Sequence, residues 1–259
     1  MNGPTPEEVK AGLTHKNWFV RLKWAERTDW GPPTPEQVER GLADPSERVR
    51  AAWAKRTDWG PPTPQQVERG LTDRRWIVRL AWAGRPDYVP TPQQIERGLT
   101  DPEGQVRLAW AARPDYTPTP QQVERGLTDE DLWIRKVWAE RLDYTPTPEQ
   151  IERGLTDEDV WVRDAWAKRL DYTPTPQQIE RGLMDPQIRY VWIKRMDYTP
   201  TPQQIERGLI GPDERVRLAW AKRLDYVPTS EQIERGLTDP SEEVRRAWQN
   251  RLKLMVQEV

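Results

Sequence analysis

The sequence has no cysteine, one histidine, one phenylalanine and no long run of apolar residues. Each absence excludes a class of chemistry. Without cysteine there is no disulfide framework and no thiolate, which fits a reducing compartment. With His15 as the sole histidine, no metal-ligand cluster is expected, and no Gly-Lys-Ser/Thr loop is present to cradle a phosphate. The chain is therefore expected to carry no metal and no cofactor. The missing apolar run excludes a membrane-spanning helix. Met1-Asn2-Gly3-Pro4 contains neither a basic segment nor a hydrophobic one, so the expectation is a soluble, cytoplasmic protein with no membrane partner.

An excess of charge is lacking too. With 40 Lys and Arg against 42 Asp and Glu, the chain exerts no global pull on nucleic acid or on an anionic membrane. Hydrophobic residues are scarce at 35%, prolines number 26 and the mean hydropathy is -0.96, the composition of a disordered segment. Periodicity overrules that reading. The motif Thr34-Pro35-Glu36-Gln37-Val38-Glu39-Arg40-Gly41-Leu42 recurs from Thr5, Thr34, Thr63, Thr91, Thr119, Thr147, Thr175, Thr201 and Thr229, usually 28 residues apart. Such a period marks a solenoid in which each unit touches only its neighbours. The expectation is one all-α domain over residues 1–259, an α-solenoid of nine two-helix repeats with a tail at 252–259.

Within a repeat, Thr63 caps, Pro64 takes the first helical position and Gln66 closes a capping box. Val67 and Leu71 share one face of this first helix, and Gly70 between them allows close helix approach at a propensity cost of about 1 kcal/mol. A second start is read in Asp44-Pro45-Ser46-Glu47 and Asp239-Pro240-Ser241-Glu242, with Asp as the cap. On the second helix Val49, Ala52, Trp53 and Arg56 follow the spacing of a buried stripe. The Asp-Tyr-Thr-Pro segments end it by forcing extended backbone.

Fifteen tryptophans offset the low hydrophobic content, each burying roughly 150 to 250 Å². Trp24, Trp53, Trp82, Trp110, Trp138, Trp166, Trp192, Trp220 and Trp248 form one row. A row at helical spacing is read as the solenoid core, the alternative being a platform for stacking bases. Arg residues flank each Trp three positions away on either side, as Arg50 and Arg56 flank Trp53, within cation–π reach. They suggest either a phosphate-binding ladder or internal pairing. Internal pairing is favoured, because an Asp stands six residues before the first Arg in most repeats, as Asp44 before Arg50. His15 and Gly211 replace that Asp in repeats one and eight, and repeat seven is two residues shorter between Leu183 and Arg189. Those three repeats are where an unpaired Arg or a kink is expected.

The run Asp44 to Ala54 resembles the second-helix signature of HEAT-like repeats, and the short period with Thr-Pro openings looks like the leucine-rich-repeat variant. The resemblance spans Thr5 to Leu252. It implies a right-handed all-α superhelix used mainly as a binding scaffold, with an Asp–Arg ladder between neighbouring repeats. Trp stands where those families usually carry a smaller aliphatic residue.

Repeats are most informative where they disagree. The variable slots of the second helix share one face. Along the chain it carries Phe19, Leu22, Arg48, Lys55, Ile77, Leu80, Trp133, Lys136, Trp161, Asp164, Lys168, Tyr190, Lys194, Arg215 and Lys222. Aromatic and aliphatic side chains among cations mark an interaction surface; the alternative is packing against the next repeat. A non-catalytic scaffold binding an extended partner, a protein foremost, is the first expectation. Nucleic acid, held by the Lys and Arg residues and stacked on Trp133, Trp161 or Tyr190, is the second. An enzyme is not expected. Trp161 beside Asp164 is the sole local pair resembling the cleft of HEAT-like DNA glycosylases.

Lys23 and Gln249 replace apolar residues of the shared second helix, as terminal repeats do. Leu252, Leu254, Met255, Val256 and Val259 are expected to extend the last helix over its own repeat in a monomer, or else to dock a second copy.

Overall fold

A computed structural model describes residues 3–257, so Met1, Asn2 and Val259 lie outside the described residues, as does the side chain of Val256. Among the described residues there are 18 helices and no strand. They form an all-α solenoid of two-helix repeats. Packing divides the chain into two compact units, Met1–Trp138 and Ala139–Val259. Within each unit the second helices pack closely side by side, whereas the first helices touch one another less. The second helices are therefore the tighter, inner layer of each unit.

The repeat's start signal works as the sequence indicates. All nine first helices carry the complete capping box, from Thr5 to Thr229. In repeat three, Thr63 N–H donates to Gln66 Oε1 at 2.8 Å and Gln66 N–H donates to Thr63 Oγ1 at 3.3 Å. The first two repeats have one residue more than most, taken up where Gly31 and Gly60 adopt φ of 84°, a left-handed conformation that glycine tolerates.

The tryptophan row is core. From Trp53 to Trp248 each indole is 1 or 2% exposed, and Trp24 is half-buried. Each lies flat against the glycine of its own first helix; a Cβ on Gly154 would fall 2.0 Å from Trp166 Nε1. Of the expected stripe, Val49, Trp53 and Arg56 are buried, but Ala52 is only half-buried and Ala54 takes its place at 0% exposure.

The second start differs from the expectation. Ser46, not Asp44, is the N-cap, and it makes no side-chain capping bond. Asp44 Oδ1 instead accepts from the N–H of Ser46 at 2.8 Å, and its carboxylate is held by Arg21 of the preceding repeat. Asp239 does the same with Ser241 and Arg217. The guanidinium of a neighbouring repeat is a stronger partner for a carboxylate than another backbone amide.

The first Arg row is this ladder. Arg21–Asp44, Arg50–Asp73, Arg79–Asp101, Arg107–Asp129, Arg163–Asp185 and Arg217–Asp239 pair with Nε–Oδ2 distances of 2.6 to 3.0 Å. A repeat's own Asp supplies its backbone carbonyl instead, as Asp44 O does to Arg50 Nη1 at 2.7 Å. The pairing direction corrects where the ladder breaks. Arg21 and Arg217 are paired despite His15 and Gly211 in their own repeats; Arg189, whose partner position is Gly211, is not.

The second Arg row joins repeats from inside. Arg85, 2% exposed, donates through Nη1 to Ala54 O and Arg56 O at 2.6 Å each and pairs with Asp87. Its guanidinium lies 4.3 Å from the ring of Trp59 and 5.3 Å from that of Trp82. From repeat three onward tyrosine replaces tryptophan at the Trp59 position, and Tyr88, Tyr172 and Tyr198 donate their hydroxyls to the carbonyls of Trp82, Trp166 and Trp192 at 3.1 Å. A third ladder, on the first helices, was not legible from one repeat: Glu68–Arg97, Glu152–Arg181 and Glu180–Arg207. Exposed pairs of this kind contribute about 0 to 1 kcal/mol each.

Burial pushes the phenols of Tyr88, Tyr144, Tyr172 and Tyr198 up to about 12 from an ordinary 10.0, the nearby Arg cations opposing it. A folded value above the unfolded one means their contribution to stability is complete below pH 10 and is lost as pH rises through about 12. Ultraviolet titration is expected to show these four phenols ionising near pH 12, together with loss of helical signal. Ionisation of all seven tyrosines near 10 with the helices intact would contradict this packing.

The last helix, Glu242–Gln257, continues through the tail. On it Leu252 and Met255 are half-buried, and Leu254 is 47% exposed.

Candidate partner-binding face

The repeat that buries its invariant residues turns its variable ones outward. Phe19, Trp133, Trp161 and Tyr190 are 50%, 50%, 53% and 43% exposed. Arg48, Lys55, Lys168, Lys194, Arg215 and Lys222 are exposed; Leu22, Ile77, Leu80, Lys136 and Asp164 are half-buried. Packing against the next repeat therefore claims only part of this face, chiefly the position after the first Arg, where Leu22, Leu80, Lys136 and Asp164 are half-buried and Ala51, their counterpart in repeat two, is buried at 3%. Lys23 and Gln249 are exposed as well.

Several of these side chains are held in place by one another. Trp18 and Phe19 meet edge to face at 5.9 Å between ring centroids, and the Arg48 guanidinium lies 5.5 Å from the Trp18 ring. Lys194 Nζ sits 4.2 Å from the Tyr190 ring, an attraction of about 0.5 to 1 kcal/mol at an exposed site. Asp164 accepts from Lys168 Nζ at 2.5 Å, so its carboxylate beside Trp161 is engaged by a cation of its own helix.

In the first unit the face holds a groove of about 600 Å³ lined by Leu22, Arg48, Lys55 and Ile77, with Thr28 and Thr57 at its edge. Residues assigned to the face from sequence alone are thus brought together from three consecutive second helices. Its lining combines Leu22, Ala25, Ala51 and Ile77 with charges of both signs, Arg48 and Lys55 against Glu26 and Asp58.

A family model described as a HEAT repeat associated with sister chromatid cohesion matches residues 149–165. Over most of its length the chain is similar to a solved structure described as a leucine-rich repeat variant with a novel repetitive protein structural motif. The two share 25% sequence identity with a TM-score of 0.58, over 90% of this chain and 83% of the other. The repeats are HEAT-like. No curated protein matches the sequence.

In the HEAT-like repeats of the second unit, sequence reasoning missed one row. Leu142, Leu170, Met196 and Leu224, directly after the second Arg, are 72%, 70%, 60% and 62% exposed. Their counterparts in the first two repeats are Thr28 and Thr57, which edge the groove, so these positions belong to the same face. The signal was present as a switch from Thr and Pro to Leu and Met between the two halves of the chain. Lys168, Lys194 and Lys222 stand two residues before Leu170, Met196 and Leu224, giving a repeated cation and aliphatic pair. Among the described residues no group of His, Cys, Asp and Glu is arranged to hold a metal, and no helix is long and apolar enough to cross a membrane.

Proposed function

We propose that this chain is a non-catalytic scaffold that binds an extended protein partner through the inner face of its second helices. A repeat scaffold of HEAT-like units is in general a protein-interaction architecture. The observation that carries the finer reading is the row of Leu142, Leu170, Met196 and Leu224, each at least 60% exposed, beside Lys168, Lys194 and Lys222. Exposed aliphatic side chains gain nothing from a phosphate backbone but bury well against a partner's apolar side chains. Cations beside them favour a partner that is acidic between its apolar residues. The absence of cysteine fits a cytoplasmic setting.

Apart from Arg189 and the terminal Arg27 and Arg245, both long Arg rows are committed to joining repeats, which withdraws them from a nucleic-acid ladder and leaves only the exposed Lys and Arg side chains of the variable face. Labelled single- and double-stranded oligonucleotides are therefore expected not to bind at about 50 mM salt, where phosphate-driven affinity is strong and from which it collapses by about 200 mM. Tight, salt-sensitive binding would replace the protein reading with a nucleic-acid one. On the protein side, Leu170→Asp with Leu224→Asp is expected to weaken partner binding at least about tenfold. Because both side chains are 62 to 70% exposed, Tm should be unchanged. Undiminished binding would remove this row from the interface.

A further inference from the structure

At five intact junctions of the Arg–Asp ladder the guanidinium binds both carboxylate oxygens, and at the sixth Arg163 Nη2 turns instead to Gln187 Oε1 at 2.7 Å. At the Arg163 junction, Arg163 Nε donates to Asp185 Oδ2 at 3.0 Å and the N–H of Gln187 donates to Asp185 Oδ1 at 2.9 Å. At the Arg217 junction, Nε and Nη2 donate to the two oxygens of Asp239 at 2.7 and 3.0 Å, and Ser241 N–H adds a third bond at 2.8 Å. At the five two-oxygen junctions the arrangement is a fork of two guanidinium donors and one amide aimed at one planar anion.

Between repeats seven and eight the donors remain and the carboxylate is gone, because the Asp position is Gly211. Arg189 makes no side-chain hydrogen bond or ion pair, and its Nε is buried without a partner. Its neighbour Trp192 also has a buried, unpartnered Nε1. The N–H of Asp213, two residues after Gly211, has no carboxylate to receive it. Arg189, Gly211 and Asp213 line one cavity of about 240 Å³, with Gln204 and Arg207 on its wall. Arg207 is paired with Glu180, which leaves Arg189 as the uncommitted cation; the Asp213 carboxylate on the same lining is held by the backbone N–H of Arg215. An unpartnered buried donor is costly, and six neighbouring junctions show which group satisfies it.

We infer that this cavity is a carboxylate-binding site, in which an external carboxylate takes the place of the missing aspartate between Arg189 and the N–H of Asp213. The carboxylate comes either from a small free anion or from an acidic side chain of a bound protein.

The test follows the Nε–H resonance of Arg189, assigned by its loss in Arg189→Gln, during titration with sodium acetate against sodium chloride at equal ionic strength. A saturable shift with acetate and none with chloride is expected. Half-saturation near about 10 mM corresponds to roughly two charge-assisted hydrogen bonds. N-acetyl-aspartate amide separates the sources: a response to it as well as to acetate assigns a site that side chains reach, and a response to acetate alone assigns one for small anions. Gly211→Asp is expected to abolish the acetate response and raise Tm. Gly211→Ala, whose Cβ meets nothing closer than Arg207 O at 3.5 Å, should keep the response. Absence of a saturable shift, or a shift that persists in Gly211→Asp, would overturn the assignment. None of the side chains assigned to the second-helix face is among this cavity's lining residues, so neither result bears on that face.

Discussion

Gly70→Ala is expected to destabilise the protein by about 3 kcal/mol, against the sign of helix propensity. In an exposed helix the same change would stabilise by about 1 kcal/mol. Gly70 is not exposed: a Cβ there would lie 2.1 Å from Trp82 Nε1, 2.2 Å from Cδ1 and 2.3 Å from Cε2. The Trp82 ring cannot yield, because it is 1% exposed and packed between the two helices of its repeat. The first helix must move outward, and with it the Val67 and Leu71 contacts, both 5% exposed or less. Gly84→Ala in the same repeat is the control. Its Cβ would meet nothing nearer than Leu80 O at 3.7 Å, and its φ of -83° suits alanine, so a gain of about 0.4 to 1 kcal/mol is expected. Denaturant unfolding of the two variants should move the midpoint in opposite directions. Equal effects would mean that the Gly–Trp contact is not what sets the helix spacing.

Arg85→Met carries the second large effect, a loss of about 3 to 5 kcal/mol, the cost of removing one member of a buried pair. The methylene stem is retained, so the loss isolates the guanidinium. That group satisfies the carbonyls of Ala54 and Arg56 at the end of the preceding second helix, holds Asp87 and lies between two aromatic rings. Terminal helix carbonyls buried without a donor are strongly unfavourable. Arg85→Lys should recover less than half of the loss, since a point charge cannot reach two carbonyls and a carboxylate in one plane. If Arg85→Met cost less than about 1 kcal/mol, the joint between repeats would rest on the tryptophans alone.

The helices, their caps and the core row were legible because they depend on residues close in sequence: Thr63 and Gln66 are three apart, Gly70 and Trp82 twelve. What escaped depends on the neighbouring repeat. Asp44 looks like a helix cap in isolation, and only the position of Arg21 across the junction shows where its carboxylate goes. For the same reason the sequence irregularity at Gly211 pointed to Arg217, its own repeat's Arg, whereas the broken pair belongs to Arg189. Helical spacing separates the variable slots from the tryptophans but left their exposure open, and the structure exposes part of them while half-burying Leu22, Ile77, Leu80, Lys136 and Asp164. The aliphatic edge of this face at Leu142 and Leu170 was missed because those residues follow the helix, where periodicity no longer says which way a side chain points.

The central claim is that invariant positions build the solenoid and variable second-helix positions bind. Its most direct test compares partner capture by three proteins: the unaltered chain, a second-helix variant with Trp161→Ser and Tyr190→Ser, and a first-helix variant with Gln177→Ala and Gln203→Ala. All four substituted side chains are exposed, so the three should share one Tm. The expected result is the same partner on the unaltered chain and the first-helix variant, and its loss from the second-helix variant. Retention by the second-helix variant with loss from the first-helix variant would place binding on the opposite layer and contradict the claim.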